Sequence, residues 1–475
     1  MINLKRTQRI LMHTSIFILL IPCLISAQEW NSLDNQKIDG YRGIWFELNQ
    51  KYGHGDKYSG GLGTYTAKHI PLAIYAPAVD KTFFVYGGTT GRDQRHLLCM
   101  IGEYDHKAHL VSRPTVVYDK LGVDDPHDNP TLMIDDDGYI WVFVSGRGNL
   151  RKGIKLRSNE PYDINAFSQV CSEVFAYPQI WNTKNGFFHF FTKYTGVREL
   201  YFETSSDGYT WTEDAMLAGI KESPVKKSGH YQVSSHFNDG AIIGTFFNRH
   251  RDGHPDTRTD LYYLQTRDFG RTWEDIHQKP VCLPLTDVDI PQRIIDYQSM
   301  NRNVYMKDMG FDHKGNPVCL YITSGGHEPG PENLPYQWKV THWDGTDWKS
   351  HDICESDHNY DMGSLFVGDS SWKVVGPTGT GPQPWGTGGE IAIWSSENKG
   401  RDWVKLRDVT MKSKLNHCYV RRPLNARAPF CFFWASGHAH EFSISELYFG
   451  DLNGDVWKLP YVMKEDYEKP EKIEF

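Results

Sequence analysis

The feature that most constrains this chain is a short turn pattern that returns four times. Thr266-Arg-Asp268-Phe-Gly270-Arg-Thr272-Trp273 has the spacing S/T-x-D-x-G-x-T-W, and Ser396-Glu-Asn398-Lys-Gly400-Arg-Asp402-Trp403 repeats it with Asn for Asp. Ser205-Ser-Asp207-Gly208-Tyr-Thr-Trp211 is a shortened copy, and His342-Trp-Asp344-Gly345-Thr-Asp-Trp348 a weaker one. The physics is that of a hairpin. The Asp or Asn side chain caps the backbone of the turn, Gly takes a conformation that a Cβ would obstruct, and Trp covers the sheet beside it. Copies follow strand-like runs such as Leu261-Tyr-Tyr-Leu-Gln265 and Ile391-Ala-Ile-Trp394.

The Trp positions recur at intervals of 62, 75 and 55 residues. Two further turns, Asp135-Asp-Asp-Gly138 and Asp312-His-Lys-Gly315, lie between strand-type sequences, and no long amphipathic helix is evident. Aromatic residues make up 14% of the chain, with 43 Gly and 24 Pro to supply turns. A blade of about 60 residues divides the chain into roughly seven, within the usual range for propellers. The expected fold is therefore all-β, a seven-bladed β-propeller of four-stranded antiparallel blades, ahead of a sandwich or β-helix. The hairpin Glu446–Phe449 and Asp455–Leu459 is expected to close the ring by pairing near Tyr41-Arg-Gly-Ile-Trp-Phe46.

Lys5, Arg6 and Arg9, an apolar run from Ile16 to Ile25, and Ser26-Ala27 read as a signal peptide over 1–27. That run is too short for a bilayer core of about 30 Å. Pro22 before Cys23 is a poor lipidation signal. The expectation is a secreted or periplasmic protein with no membrane span, its residues 28–475 forming one catalytic propeller. A formal net charge of −8 without a basic stripe argues against a nucleic-acid partner. Beyond Cys23, seven cysteines are scattered without metal-type spacing, so at least one thiol is free or pairs elsewhere. Cys319 and Cys431 sit in apolar runs and read as buried.

Propellers bind ligands where loops from many blades converge, so unusual polar clusters at strand ends are the candidates. These are Asp124–Pro130 with His127, Ser145–Asn149 with Arg147, Tyr177-Pro178-Gln179, Thr192-Lys193-Tyr194 and Arg198. Further candidates are Tyr231, Arg249, His327, His358, and the Gly- and Tyr-rich loop from Gln50 to Gly61 with His54.

The turn pattern is the Asp-box, or BNR repeat. Tyr58–His69, Lys81–Gly88 and Asp125–Pro130 make the chain, from about Trp30 to Tyr461, resemble the BNR-repeat propellers that degrade polysaccharides. That group includes ulvan lyases and enzymes that attack α-L-rhamnose linked to D-glucuronate in arabinogalactan. The resemblance implies as ligand an acidic, uronate-containing, rhamnose-bearing polysaccharide. The lyase reading places His127 in the site, Tyr177 as base and candidate acid, and a cation sixteen residues on. Here that cation is Lys193 where those lyases carry Arg, and their second His falls near Arg147. Lys offers a point charge and not the carboxylate-matching fork of Arg, which Arg147 can supply instead. The rhamnosidase reading rests on an N-terminal His, for which His54 and Gln50 are the two candidates. Hydrolysis at terminal rhamnose, by an α-L-rhamnosidase, is placed ahead of β-elimination, with a non-catalytic glycan-binding propeller as a third reading. A sialidase would need an arginine triad and an early FRIP-like strand, which is not found. No cofactor is called for. Related propellers can hold a structural Ca²⁺ or Zn²⁺, but the three Asp at 135–137 read more simply as a solvated turn.

Overall fold

The computed structural model describes residues 33–475 except 48, 62, 90 and 92–95, so the leader and Cys23 lie outside the described residues. The described residues form one body. It is a seven-bladed propeller of antiparallel blades. The innermost strands are Ala73–Ala76, Pro130–Ile134, Ala176–Thr183, Gln232–Phe237, Asn303–Phe311, Ser364–Val367 and Asn416–Arg421, opening blades 1 to 7 in that order.

The amino-acid pattern follows from the packing. Middle strands are covered on both faces by neighbouring blades, so they read as unbroken apolar runs and not as alternations. Ile140–Val144 (Ile-Trp-Val-Phe-Val) is buried at every position, as is Leu261–Leu264. The outermost strand of blade 6, Val404–Asp408, has lost that cover and is exposed throughout.

The repeated turns all join the third strand of a blade to the region of its fourth. Asp268 Oδ1 accepts the Thr272 N–H at 2.9 Å, and Gly270 N–H donates to Thr266 Oγ1 at 2.9 Å. Asp207 Oδ1 accepts from Tyr209 and Thr210 N–H at 2.8 and 2.7 Å, with Gly208 at φ 77°. Trp211 and Trp403 donate Nε1–H to the Gly208 and Gly400 carbonyls at 2.8 and 2.9 Å. The Asp135 and Asp312 turns join first to second strands, on this same side of the ring.

Ring closure differs in detail from the expectation. The hairpin Leu447–Gly450 and Val456–Lys458 is present within blade 7. Gly43–Glu47 pairs instead with Ser443–Ser445, just before it, with Gly43 opposite Ser445. The C-terminus adds a second clasp: Tyr467–Glu468 pairs with Leu110–Ser112 on the rim of blade 1, and Glu471–Ile473 with Val456–Lys458 on the rim of blade 7. Residues 50–61 and 63–69 then lie across the mouth of the ring. The Lys57 ammonium pairs with Asp256 of blade 4, and Tyr58 stacks on Tyr360 with centroids 4.7 Å apart.

Seven cysteines are free among the described residues, with Cys319 and Cys431 buried. No helix there is long and apolar enough to cross a membrane.

Candidate active site

Inner strands all begin at the end of the ring opposite the Asp-box turns, and there a recess opens. Its wall carries Lys57, Lys68, Arg147, Arg198, Arg258 and Lys307, together with seven tyrosines and His127, and among the described residues no Asp or Glu. Local backbone geometry aims these groups. Tyr177 lies at an irregularity of the ladder between Ala176 and Gln179, with φ 55° and its N–H held by Ser145 Oγ at 3.1 Å. Such a bulge re-aims a side chain. It brings the Tyr177 hydroxyl 3.2 Å from Tyr194 and 3.5 Å from Tyr231.

Arginines enclose this tyrosine cluster. The Arg198 guanidinium lies 5.1 Å from the Tyr194 ring and 5.6 Å from Tyr231, and Arg147 lies 5.4 Å from Tyr194. Arg258 lies 5.0 Å from Tyr231 and donates to the Tyr360 hydroxyl at 2.8 Å. Burial by itself raises a tyrosine pKa, and it holds Tyr177 well above the ordinary value. At Tyr231 burial is outweighed by Arg198 and Arg258, so its hydroxyl is more acidic than usual. Among the described residues Arg198, Arg258, Lys68 and Lys307 have no carboxylate within ion-pair distance; Lys68 and Lys307 donate to the carbonyls of Met306 and Asn359 at 2.7 and 2.6 Å. Burial lowers both ammonium groups, Lys307 to about 7, so the arginines carry the fixed charge.

His127 is reached through Asp125, the N-cap of a short 3₁₀ turn over Pro126–Asp128. Its Nδ1 lies 2.6 Å from Asp125 Oδ1 and its Nε2 2.8 Å from the Tyr65 hydroxyl. Arg147 and Arg151 donate to Asp125 Oδ2 at 3.1 and 2.8 Å.

Of the residues singled out in the sequence, Gln50, His127, Arg147, Tyr177, Arg198 and Tyr231 border the recess. The others do not. Lys193 points to the side of blade 3 and pairs with Asp214. Arg249 is buried between Asp260 and Glu222. His358 is buried, its Nδ1 accepting from the Tyr360 N–H at 3.1 Å. His54 stands exposed on the rim, 3.4 Å from Glu332. His327 lies beside Tyr52, 3.2 Å from its hydroxyl. Missed were Lys57, Tyr58, Tyr65, Lys68, Arg258, Tyr305, Lys307, Tyr360 and Tyr419. Tyr58, Tyr65 and Lys68 lay in the quoted Tyr58–His69 motif, which was the available signal. Tyr360 lay in the polar stretch His358–Asp361 beside the candidate His358, and Arg258 had no signal beyond lying at a strand end.

Among the described residues no group of three or more His, Cys, Asp or Glu is placed to hold a metal ion.

Comparison with known proteins agrees with this architecture. The profile of a family described as "BNR repeat-containing family member" matches residues 84–356. An ulvan lyase of Alteromonas sp. (strain LOR) is 22% identical over 279 residues, 52% of this chain and 57% of the relative. An ulvan lyase of Nonlabens ulvanivorans is 22% identical over 318 residues, 60% and 65% of the two chains. The matched region thus spans under two thirds of each of these curated relatives. A solved polysaccharide lyase PL25 ulvan lyase, bound to -[GlcA(1-4)Rha3S]-, superposes with a TM-score of 0.68 at 15% identity, over 88% of this chain and 96% of that one. At that identity the likeness is one of fold.

Proposed function

This chain belongs to the BNR repeat-containing family, and from that premise we propose that it is a polysaccharide lyase, cleaving an acidic, rhamnose-bearing polysaccharide at a uronate by β-elimination. One observation carries the reading: three arginines and a tyrosine cluster line a recess that, among the described residues, holds no carboxylate. Ordinary glycoside hydrolysis needs a pair of Asp or Glu across the bond. Elimination needs a neutralised uronate carboxylate, a base at C5 and an acid at the leaving oxygen. The similarity to ulvan lyases supports the same choice. The hydrolytic reading, placed first on the sequence, is the weaker one, because of its two candidates His54 stands outside the recess and Gln50, which borders it, cannot carry a proton as a His does.

In this reading Arg147 and Arg198 hold the uronate carboxylate, for which a guanidinium is the better-shaped partner. Tyr231, made more acidic by Arg198 and Arg258, donates to the leaving O4, with Tyr177 as its hydrogen-bonded neighbour and Tyr194 in turn donating to Tyr177. The C5 proton leaves on the His127 side. The arginines provide the neutralising charge, so the reaction is written without a metal, and chelator should leave the rate unchanged. Export on the 1–27 leader and a single catalytic body over 28–475 belong to the same proposal.

The test is incubation of purified protein with ulvan and with rhamnose-capped, glucuronate-containing arabinogalactan oligosaccharide. Ultraviolet absorbance of an unsaturated uronate, without free rhamnose, supports elimination. Free rhamnose without absorbance restores hydrolysis, and retention of glycan without product points to a binding propeller.

A further inference from the structure

Within the recess His127 has a peculiarity: neither of its ring nitrogens is open to a sugar. Nδ1 is engaged by Asp125 at 2.6 Å and Nε2 by the Tyr65 hydroxyl at 2.8 Å. We propose that Tyr65 is the catalytic residue that takes the C5 proton, with His127 accepting the tyrosine's own proton and Asp125 positioning His127. The proposal rests on the lyase reading and adds the identity of the base.

Hydrogen-bond chemistry fixes the direction of the relay. Asp125 also accepts the His127 backbone N–H at 3.0 Å and is held by Arg147 and Arg151, so it remains an anion that only accepts. Burial opposes its ionisation, but His127 and the arginines outweigh burial and keep the carboxyl well below the usual range. The proton between the two therefore resides on His127 Nδ1. That leaves Nε2 as a bare acceptor, and the Tyr65 O–H must donate to it. His127 itself is kept neutral by burial, ready to receive a proton.

Tyr65 is held for this task from three sides. Its ring stacks on Tyr58 (6.4 Å, 5°), meets Tyr419 edge-on (5.0 Å, 84°) and meets His127 edge-on (5.1 Å, 88°). It borders the recess while being 4% exposed. Burial drives its pKa well up, so Tyr65 is no standing phenolate, and its proton has to leave as the new one arrives. The arrangement is that of an oxygen, a histidine and an orienting aspartate, in which the histidine activates the oxygen.

The step balances. The C5–H bond breaks and its proton forms the new Tyr65 O–H, while the former Tyr65 proton passes to His127 Nε2. The C5 electron pair forms the C4=C5 double bond, and the C4–O4 pair departs on O4, which takes the Tyr231 proton. Solvent then returns a proton to Tyr231 and removes one from His127.

Tyr65→Phe and Asp125→Asn test this on ulvan, with kcat, KM and Tm measured for each against the wild type. Tyr65→Phe should lower kcat by about a hundredfold or more, the range for a lost general base, with KM within about twofold. Asp125→Asn should lower kcat with KM held, and selective nitrogen-15 labelling of histidine should show the His127 proton leaving Nδ1. If the wild type forms unsaturated uronate and Tyr65→Phe keeps more than about a tenth of kcat, the assignment of Tyr65 is overturned and the lyase reading stands. If both variants lose activity only through a fall in Tm or a rise in KM, the relay is overturned in favour of a packing role. A wild type that forms no unsaturated uronate overturns the lyase reading, and the relay with it.

Discussion

The two ends of the blades solve opposite problems. At the Asp-box end, polar groups are satisfied within a few residues of where they stand: Asp207 by Tyr209 and Thr210, Asp268 by Thr272, Asp344 by Thr346 and Asp347. At the recess end, Tyr58 meets Tyr360, Lys57 meets Asp256, and Arg258 meets Tyr360, each pair drawn from distant parts of the chain. The first end is locally satisfied and serves the fold. The second keeps the guanidiniums of Arg198 and Arg258 without a carboxylate partner among the described residues, an arrangement that costs stability and suits an anionic ligand.

That contrast can be broken by mutation. The largest effect should come from Arg198→Met, which removes a recess charge while keeping its volume. We expect kcat/KM on ulvan to fall about 10²–10³-fold, as for loss of one electrostatic contact in a preorganised site, while Tm holds or rises. A large fall in Tm would mean that the recess charges serve the fold after all. Next is Gly208→Ala at the other end. Gly208 has φ 77°, and a Cβ there would lie 2.4 Å from the Trp141 ring. Denaturant unfolding should register a loss of about 2–3 kcal/mol, with kcat of the folded fraction unchanged.

A smaller effect tests burial at the recess end through pH. Asp357 accepts the Trp385 N–H at 3.1 Å, and burial raises its carboxyl pKa to about 6. A carboxyl raised on folding favours the folded state at low pH, and this contribution is lost as pH rises from about 4 through 6. Asp357→Asn should therefore raise Tm by about 1–3 °C at pH 8, and the gain should vanish at pH 4. An equal gain at both pH values would assign the effect to packing. The smallest effect is expected from Lys193→Ala. Because Lys193 pairs with Asp214 away from the recess, kcat/KM should change by less than about threefold. A hundredfold loss would place Lys193 back among the groups that meet the substrate.

The same contrast explains which readings of the sequence survived. The turn at Thr266–Trp273 identifies itself because its hydrogen bonds close within its own residues, and the apolar runs beside it follow from burial on both faces of a middle strand. Blade number and the final hairpin were legible for this reason. The partner of Gly43–Glu47 was misplaced by a few residues, since several short strands near 443–450 carry similar patterns and only tertiary register chooses among them. Within the site, His127, Arg147 and Tyr177 stood out because they flank strands in polar clusters. Lys193 and Arg249 looked equivalent and are not. Lys193 is two residues past Phe191 on a strand whose alternate side chains face opposite ways, and Arg249 is claimed by Asp260 and Glu222.

The sequence by itself determined the blade, because each blade's turns and apolar runs are made of residues close in the chain. Only the tertiary structure decided the recess. Residues 50–61 and 63–69 must come across the mouth of the ring before Tyr65 can meet His127, or Tyr58 can meet Tyr360. Such contacts join residues that no local pattern links, and their chemistry arises from shared burial and opposed charges that exist only once seven blades have closed around a common axis.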